Sequence, residues 1–375
     1  MADNEYRRCV RCVMDNCEPG ISFNAAGECN YCTEGLGKLK RGLLPLEERN
    51  RALESLVQKV KEDGKGKPYD CVIGLSGGAD STTVAYVVSK VGLRPYAVHL
   101  DNGWNSPEAK HNIMMSAEKL GIEVHTYVVD PEEFTDLQRA YLRSSVGNLE
   151  APTDHAISAL LFKTAVVQGI KFILTGSNLV TESILSRGWG HFNQDLRNLK
   201  AIHHRFGTVP LKTLPMAGLI ERTAYIYFYR IKWIPFLNYI DYDKAQYKKI
   251  LAAELDWRDY GGKHYESTWT KFFQAYILPT KFGVDKRKSH LSSMICSGKL
   301  DRESALAELA KPLYEPDEFE RDLGIVLDKL KLSKGEFEDI MAQTPKRHTD
   351  YPSNAFAFNT LGFLARRLRK RAISP

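Results

Sequence analysis

A six-residue run of small side chains, Ser76 to Ser81, has the residue types and order of a phosphate-binding turn. It stands between a short apolar run, Cys71 to Leu75, and an apolar helical pattern that continues through Val88. Adjacent glycines let a backbone turn sharply and approach a ligand, and the free N–H groups of a helix start attract anions. The stretch therefore predicts a phosphate site between a strand and a helix that begins at Asp80 or Ser81.

The order of residues separates this turn from a Walker loop, because no lysine occurs between Lys67 and Lys90. A glycine turn with an aspartate helix cap is the alternative that binds no ligand. Ser-Gly-Gly-Ala-Asp-Ser resembles the pyrophosphate loop (PP-loop) of the N-type ATP pyrophosphatases. The resemblance implies that ATP is bound, and that a carbonyl oxygen of the substrate attacks its α-phosphorus. It also implies residue roles: pyrophosphate contacts from Ser76, Gly77, Gly78 and Ser81, and Mg²⁺ coordination by Asp80.

Cysteines concentrate at the start of the chain, where five of the seven fall within the first 32 residues. Cys9, Cys12, Cys29 and Cys32 form the pattern Cys-x2-Cys-x16-Cys-x2-Cys, which is the spacing of a structural zinc site. Four thiolates leave no open coordination position, so the predicted zinc has a structural or docking role. A disulfide framework is the alternative, and Cys17 fits neither scheme.

The remaining pattern predicts the elements that must position these residues. Apolar strands at 71–75, 95–101, 122–129 and 171–175 alternate with helical patterns at 107–120, 131–145 and 153–168. The predicted fold is α/β, a parallel sheet with helices on both faces, and ligands then bind at the carboxyl ends of the strands. The aromatic segment 225–236 is compatible with a final strand or a buried helix.

Residues at the strand ends become candidates for binding ATP. His99 and Leu100 end the second strand, where the resemblance implies adenosine, although a core histidine is the alternative for the His99 side chain. Gly176 and Asn178 belong to a second glycine turn, Thr-Gly-Ser-Asn, which resembles the ribose and phosphate turn of the same family. Glu182 follows it as a candidate second Mg²⁺ ligand, with an ordinary place in the first turn of a helix as the alternative.

The C-terminal part of the chain indicates a more specific family among the ATP pyrophosphatases. The cysteine block together with Lys-Phe-Gly-Val-Asp-Lys-Arg-Lys-Ser-His, residues 281–290, resembles the N-acetyl sugar amidotransferases of bacterial surface-polysaccharide synthesis. That family implies adenylation of an acetamido group of an N-acetyl sugar, followed by attack of ammonia to give an acetamidino group, AMP and pyrophosphate. Lys281, Arg287 and Lys163 are candidates for stabilising the phosphate charge. The chain shows no glutaminase signature, so a separate glutaminase subunit is the expected source of ammonia.

Three segments are predicted: a zinc module (1–40), a PP-loop ATP pyrophosphatase domain (41–240) and a mainly helical region (241–375). No apolar run reaches the length of a membrane span and no signal-peptide core is present, so we expect a cytoplasmic enzyme. A net charge of +6 gives no specific indication of nucleic-acid binding, and none is expected. The basic tail, 366–371, is interpreted as a docked surface helix rather than a membrane contact. A PP-loop tRNA-modifying enzyme and a non-catalytic nucleotide-binding subunit remain the alternative functions.

Overall fold

The computed structural model describes residues 6–187, 192–262 and 265–356. The predicted tail helix at 366–371 lies outside these ranges. The strands are β1 (Cys71–Gly74), β2 (Pro95–Asp101), β3 (Glu123–Val128), β4 (Phe172–Thr175) and β5 (Lys232–Pro235). The helices of the first half are α1 (Asn30–Gly42), α2 (Leu46–Asp63), α3 (Ala79–Lys90), α4 (Pro107–Leu120), α5 (Pro131–Ser144), α6 (Ala151–Val167), α7 (Leu179–Glu182) and α8 (Leu196–Phe206).

The second half is mainly helical, as predicted. Its helices are α9 (Leu219–Thr223), α10 (Lys244–Leu255), α11 (Thr268–Phe272), α12 (Leu278–Phe282), α13 (Lys286–Cys296), α14 (Arg302–Ala310), α15 (Pro316–Leu330) and α16 (Lys334–Ala342). A π-helical turn at Phe273–Ile277 joins α11 to α12, and another at Ala224–Phe228 follows α9. The aromatic segment that the sequence left open therefore contains both kinds of structure, a helical turn and then strand β5.

The five strands form one sheet in the order β3-β2-β1-β4-β5, and every neighbouring pair is parallel. Successive side chains of a strand point to opposite faces. Ile73 of β1 accordingly packs with Val84 of α3, whereas Val72 belongs to the core formed with α5 and α6. The predicted parallel α/β sheet with helices on both faces is confirmed.

The C-terminal helices extend the core on the α5 side of the sheet. Trp269, Phe272 and Phe273, at the start of this helical part, are at most 1% exposed and belong to the same apolar cluster as Leu137 of α5. Because this cluster is continuous, the C-terminal helices and the sheet form one packed body at this side of the molecule. The carboxyl ends of β1 and β4 stay open to form the site.

Candidate functional site

The predicted phosphate loop connects β1 to α3 and has the expected geometry. Gly77 has a φ of +77°, and a Cβ built there would lie 2.3 Å from the carbonyl oxygen of Ala109. Only glycine fits such a position, because the backbone is left-handed and another backbone comes very close. Gly78 caps α3, which begins at Ala79, one residue before the predicted start. The loop therefore brings the first N–H groups of a 12-residue helix to the carboxyl edge of the sheet.

Two serine hydroxyls hold the loop in shape. The Ser76 N–H donates to Ser81 Oγ (3.2 Å), and the two hydroxyl oxygens lie 3.1 Å apart. The Gly78 N–H donates to Ser76 Oγ over 3.3 Å. The Ser81 hydroxyl donates to the Gly78 carbonyl over 3.1 Å, so both hydroxyls lie inside the turn and are hydrogen-bonded within it.

A cavity of about 210 Å³ opens above the loop, and we call it the phosphate cavity. Its lining residues come from the loop, the turn after β4, helix α7 and the segment near α10: Ser76, Gly78, Asp80, Ser81, Gly176, Ser177, Glu182, Lys244, Tyr260 and Glu266. The structure therefore brings together six of the predicted site residues: Ser76, Gly78, Asp80, Ser81, Gly176 and Glu182. Gly77 lies in the same loop beneath them.

Four lining or supporting residues were not predicted: Tyr242, Lys244, Tyr260 and Glu266. The Tyr242 hydroxyl donates to Asp80, and the Lys244 ammonium lies 3.6 Å from the same carboxylate. Burial and the Asp80 charge raise the pKa of Tyr242. The Tyr242 hydroxyl and the Lys244 ammonium therefore fix the direction of the Asp80 carboxylate, which suits a metal ligand. The YGG motif at 260–262 marks a turn, and it is the one local signal that could have drawn attention to Tyr260.

Tyr260 lies at the N-terminus of α3. Its hydroxyl oxygen accepts a hydrogen bond from the Ala79 N–H over 2.9 Å, which leaves the hydroxyl proton available to another acceptor. Burial and the nearby Glu266 raise the pKa of Tyr260, so it stays a neutral donor. A neutral hydroxyl thus satisfies a helix N–H group at the position where an anion would bind.

Two residues outside the loop, Trp257 and Asn112, hydrogen-bond to its backbone. Trp257 Nε1 and Asn112 Nδ2 each donate to the Gly77 carbonyl over 3.0 Å. The Arg258 N–H in turn donates to Asn112 Oδ1 over 2.7 Å. The segment from Trp257 to Tyr260 therefore lies across the loop and fixes it from the side opposite the sheet.

Two predicted ATP-binding residues, His99 and Asn178, are buried and engaged in the protein. His99 Nδ1 lies 2.9 Å from the Leu75 carbonyl, and burial lowers its pKa, so the ring is neutral and donates there. Asn178 Oδ1 caps α7 by accepting from the Thr181 N–H over 2.9 Å. Leu100 is 8% exposed in β2, where it pairs with Tyr127 of β3. The side chains of His99 and Asn178 thus act in positioning, and the cavity lining includes neither of them, nor Leu100.

The three predicted phosphate-binding cations do not line the phosphate cavity. Lys281 donates to Ser145 Oγ (2.9 Å) and to the Ile340 carbonyl, and burial lowers its pKa to about 8. Arg287 pairs with Asp285 at 2.8 Å and donates to carbonyls at the end of α14. Lys163 is exposed, three turns along α6 from the end nearest the sheet's carboxyl edge. Within the described residues, the cation that lines the cavity is instead Lys244.

The four cysteines of the predicted zinc site converge. Their Sγ atoms all lie within 4.8 Å of one another, and all four side chains are buried. Cys29 also caps α1, and hydrogen bonds from Cys12 and Cys32 lower its pKa, which favours the thiolate. Four converging soft donors fit a tetrahedral zinc ion. Cys17 is exposed and stands outside the cluster.

Two parts of the chain match models of known protein families. Residues 48–178 match the model of the NAD synthase family, and residues 266–365 match the model of the LPS biosynthesis protein WbpG-like, C-terminal domain. The chain is a PP-loop protein with a WbpG-like C-terminal domain. The resemblance to PP-loop pyrophosphatases and to proteins of surface-polysaccharide synthesis is thereby confirmed. No curated protein matches the chain.

Solved structures similar to this PP-loop protein include three with TM-scores below 0.5. An NH3-dependent NAD synthetase from Campylobacter jejuni is 17% identical, with 56% of this chain and 84% of that chain covered and a TM-score of 0.28. An NMN synthetase from Francisella tularensis is 19% identical, with 59% and 90% covered and a TM-score of 0.29. A predicted subunit of tRNA methyltransferase from Methanocaldococcus jannaschii is 13% identical, with 49% and 75% covered and a TM-score of 0.25.

The helices of this PP-loop protein also bear on membrane insertion. Within the described part of the chain, no helix combines the length and apolar character that a bilayer crossing requires.

Proposed function

We propose that this chain is an ATP-dependent amidotransferase that converts the acetamido group of an N-acetyl sugar to an acetamidino group. The observation that carries the proposal is the phosphate cavity, where the PP-loop with its own Asp80 lies beside two further carboxylates, Glu182 and Glu266. The WbpG-like match supports a substrate used in lipopolysaccharide synthesis. The match of residues 48–178 to the NAD synthase family supports an ATP-using reaction that forms a carbon–nitrogen bond.

The proposed reaction has two steps that balance without a further co-reactant. The acetamido oxygen attacks the α-phosphorus of ATP, and the bond to pyrophosphate breaks. Ammonia then adds to the activated carbon, and the C–O bond breaks so that the original amide oxygen leaves in AMP. Two protons are released from the attacking nitrogen, and the acetamidino group remains on the sugar.

The residues of the loop have defined tasks in this scheme. The Ser76 and Ser81 hydroxyls and the N–H groups at the start of α3 would hold the β,γ-diphosphate. Asp80 and Glu182 would hold Mg²⁺, which neutralises phosphate charge when it is bound. Lys244 stabilises negative charge at the same place, and Tyr260 donates its hydroxyl proton to a phosphate oxygen. Zinc would be held by the four cysteines and stabilise the N-terminal module.

Ammonia is proposed to come from a separate glutaminase subunit, because the sequence shows no glutaminase signature. With the isolated chain, we expect turnover with ammonium and none with glutamine. Turnover supported by glutamine and this chain alone would contradict the separate subunit.

The experiment measures AMP and pyrophosphate release by the full chain with ATP, Mg²⁺ and ammonium. N-acetyl sugars, free and nucleotide-linked, form one panel, and bulk tRNA forms a separate arm. We expect release with one sugar and a product lighter by the difference between oxygen and NH. Asp80→Asn should abolish release, whereas Asp317→Asn, at an exposed position on α15, should not. Release that depends on tRNA alone would overturn the sugar assignment, and ATP binding without release in every arm would overturn the enzyme.

A further inference from the structure

Helix α7 carries Glu182 into the phosphate cavity but is only four residues long. A helix this short has no stability of its own, since each helix must first form a costly nucleus. Its position therefore depends on the groups that bond its backbone from outside. The Leu179 N–H, for example, donates to Asn238 Oδ1 over 2.8 Å.

One face of α13 supplies most of these external bonds. His290 Nδ1 lies 3.1 Å from the Thr181 carbonyl, and the Ser297 hydroxyl donates to the Val180 carbonyl over 3.1 Å. Ser293, which is fully buried, accepts from the Ile184 N–H over 2.9 Å. The spacings of three and four residues place these three side chains on one face of the helix. They bond the backbone on both sides of Glu182.

Other residues of α13 contact the predicted zinc module (1–40), which we call the four-cysteine module. The Val13 N–H donates to Ser292 Oγ over 3.3 Å. The Lys288 ammonium lies 2.7 Å from the Asp15 carboxylate, of which 1% is exposed. A desolvated ion pair of this kind is more sensitive to loss of one partner than a surface pair. Helix α13 thus touches the cysteine module and α7 at once.

The cysteine module also reaches the end of α7 directly. Lys38 of α1 donates to the Ser183 carbonyl over 2.9 Å. A Cβ built on Gly35 of the same helix would lie 2.7 Å from the Ile184 side chain, so the two segments are in close contact. Residues 179–184 are therefore held between the module and α13.

We propose that His290 is a positioning residue for Glu182, and that α13 links the four-cysteine module to the binding of magnesium and ATP. This inference rests on the proposed function in assigning Glu182 to Mg²⁺. Magnesium demands near-ideal octahedral geometry, so a small displacement of one carboxylate weakens its binding. His290 is not among the residues that line the phosphate cavity and acts through the Thr181 carbonyl, in the backbone beside Glu182.

The test is calorimetric titration of ATP into the full, zinc-loaded chain over a series of Mg²⁺ concentrations. His290→Leu should raise the Mg²⁺ concentration that gives half-maximal ATP affinity by about 3- to 10-fold, the effect of one lost hydrogen bond. His290→Asn should restore most of it, because the amide nitrogen can replace Nδ1 as the donor. His204→Leu, on the exposed face of α8, is the matched control and should leave the midpoint unchanged.

Excess Mg²⁺ separates positioning from a general loss of structure. If His290 positions Glu182, saturating Mg²⁺ restores ATP affinity in His290→Leu at an unchanged number of sites. A variant that has merely lost folded protein shows fewer sites at the wild-type midpoint, and that result would overturn the positioning role. An unchanged midpoint with full occupancy would overturn it as well.

Lys288→Met tests the link to the cysteine module. It removes the ion pair with Asp15, and we expect the Mg²⁺ midpoint to rise while metal analysis finds the zinc retained. A wild-type midpoint in this variant would overturn the link. A wild-type chain that binds no ATP at any Mg²⁺ concentration would instead overturn the proposed function, and this inference with it.

Discussion

Gly77 meets two independent demands in the phosphate loop, a left-handed φ of +77° and a neighbouring backbone oxygen. Gly77→Ala should weaken binding of ATP or pyrophosphate by at least about tenfold, because the added methyl group must displace either the loop or α4. Gly103→Ala is a matched control, since Gly103 has a φ of +80° and an added methyl group there would have no atom within 4 Å. Calorimetry should find near wild-type affinity in the control. Equal losses in both variants would contradict the role of the close contact.

At the scale of single residues, Glu150 makes the stability of the folded chain depend on pH. Its Oε2 accepts from Thr270 Oγ1 over 3.0 Å, and burial, reinforced by the charge of Asp154, raises its pKa to about 8. Between its ordinary value near 4.5 and about 8, the folded chain keeps a proton that the unfolded chain has lost. Stability from this group is therefore present below pH 4.5 and is lost as pH rises through 8.

Glu150→Gln removes that dependence and keeps an acceptor for Thr270. We expect the variant to gain stability relative to the wild type as the pH rises from 5 to 8. The free energy of unfolding in urea, measured for both proteins across this range, gives the difference. Glu47→Gln, on the exposed first turn of α2, is the control. A difference between variant and wild type that does not change with pH would rule out the buried carboxyl as its cause.

At the scale of elements, a buried ion pair joins α11 to α15. The Lys271 ammonium lies 2.8 Å from Asp322, with both residues less than 10% exposed. Lys271→Met should destabilise the protein by about 3 kcal/mol, because it leaves the buried Asp322 carboxylate with only the exposed Arg321, 3.4 Å away, as its cation. Lys271→Met/Asp322→Leu should recover most of that loss in urea unfolding. A double variant less stable than the single one would show that packing, not charge, dominates.

The elements themselves were largely predictable where periodicity and caps agree. The predicted bounds of β2 and α4 match the structure. The sequence marks both ends of α4, because Ser106 is its N-cap, Pro107 its first residue and Gly121 its C-cap. The segment 225–236 was not resolvable from sequence, because Tyr227 and Phe228 are mostly exposed and follow neither a strand nor a helix period.

The site was predictable only where its residues are close in sequence. The loop and Glu182 were located from local motifs, whereas Tyr242 and Tyr260 reach Asp80 and Ala79 from more than 160 residues away. Lys281 and Arg287 were predicted at the phosphates because charge is visible in a sequence. The Lys281 partner, the Ser145 hydroxyl, is set by tertiary packing, whereas Arg287 pairs with Asp285, two residues before it in the sequence.

At the scale of the whole molecule, we expect zinc binding by the four-cysteine cluster to determine whether the N-terminal module folds. Zinc analysis of the purified chain should find about one ion per chain, since one set of four converging thiols is present in the described residues. Cys32→Ser should lose the zinc and lower the melting temperature, because binding energy at such a site is folding energy. Cys17→Ser, outside the cluster, should retain the zinc and the wild-type melting temperature. Full zinc content in Cys32→Ser would contradict the assigned ligands.

The edge-to-face packing of Trp257 and Tyr260 gives the phosphate cavity an intrinsic optical signal. Their ring centroids lie 5.5 Å apart at 72°, and the indole is hydrogen-bonded to the loop itself. An anion that takes the Ala79 N–H must move the phenol, and so changes the surroundings of this indole. Tryptophan emission can therefore follow occupancy of the cavity in the unlabelled protein, with Trp257→Phe identifying the source among the five tryptophans.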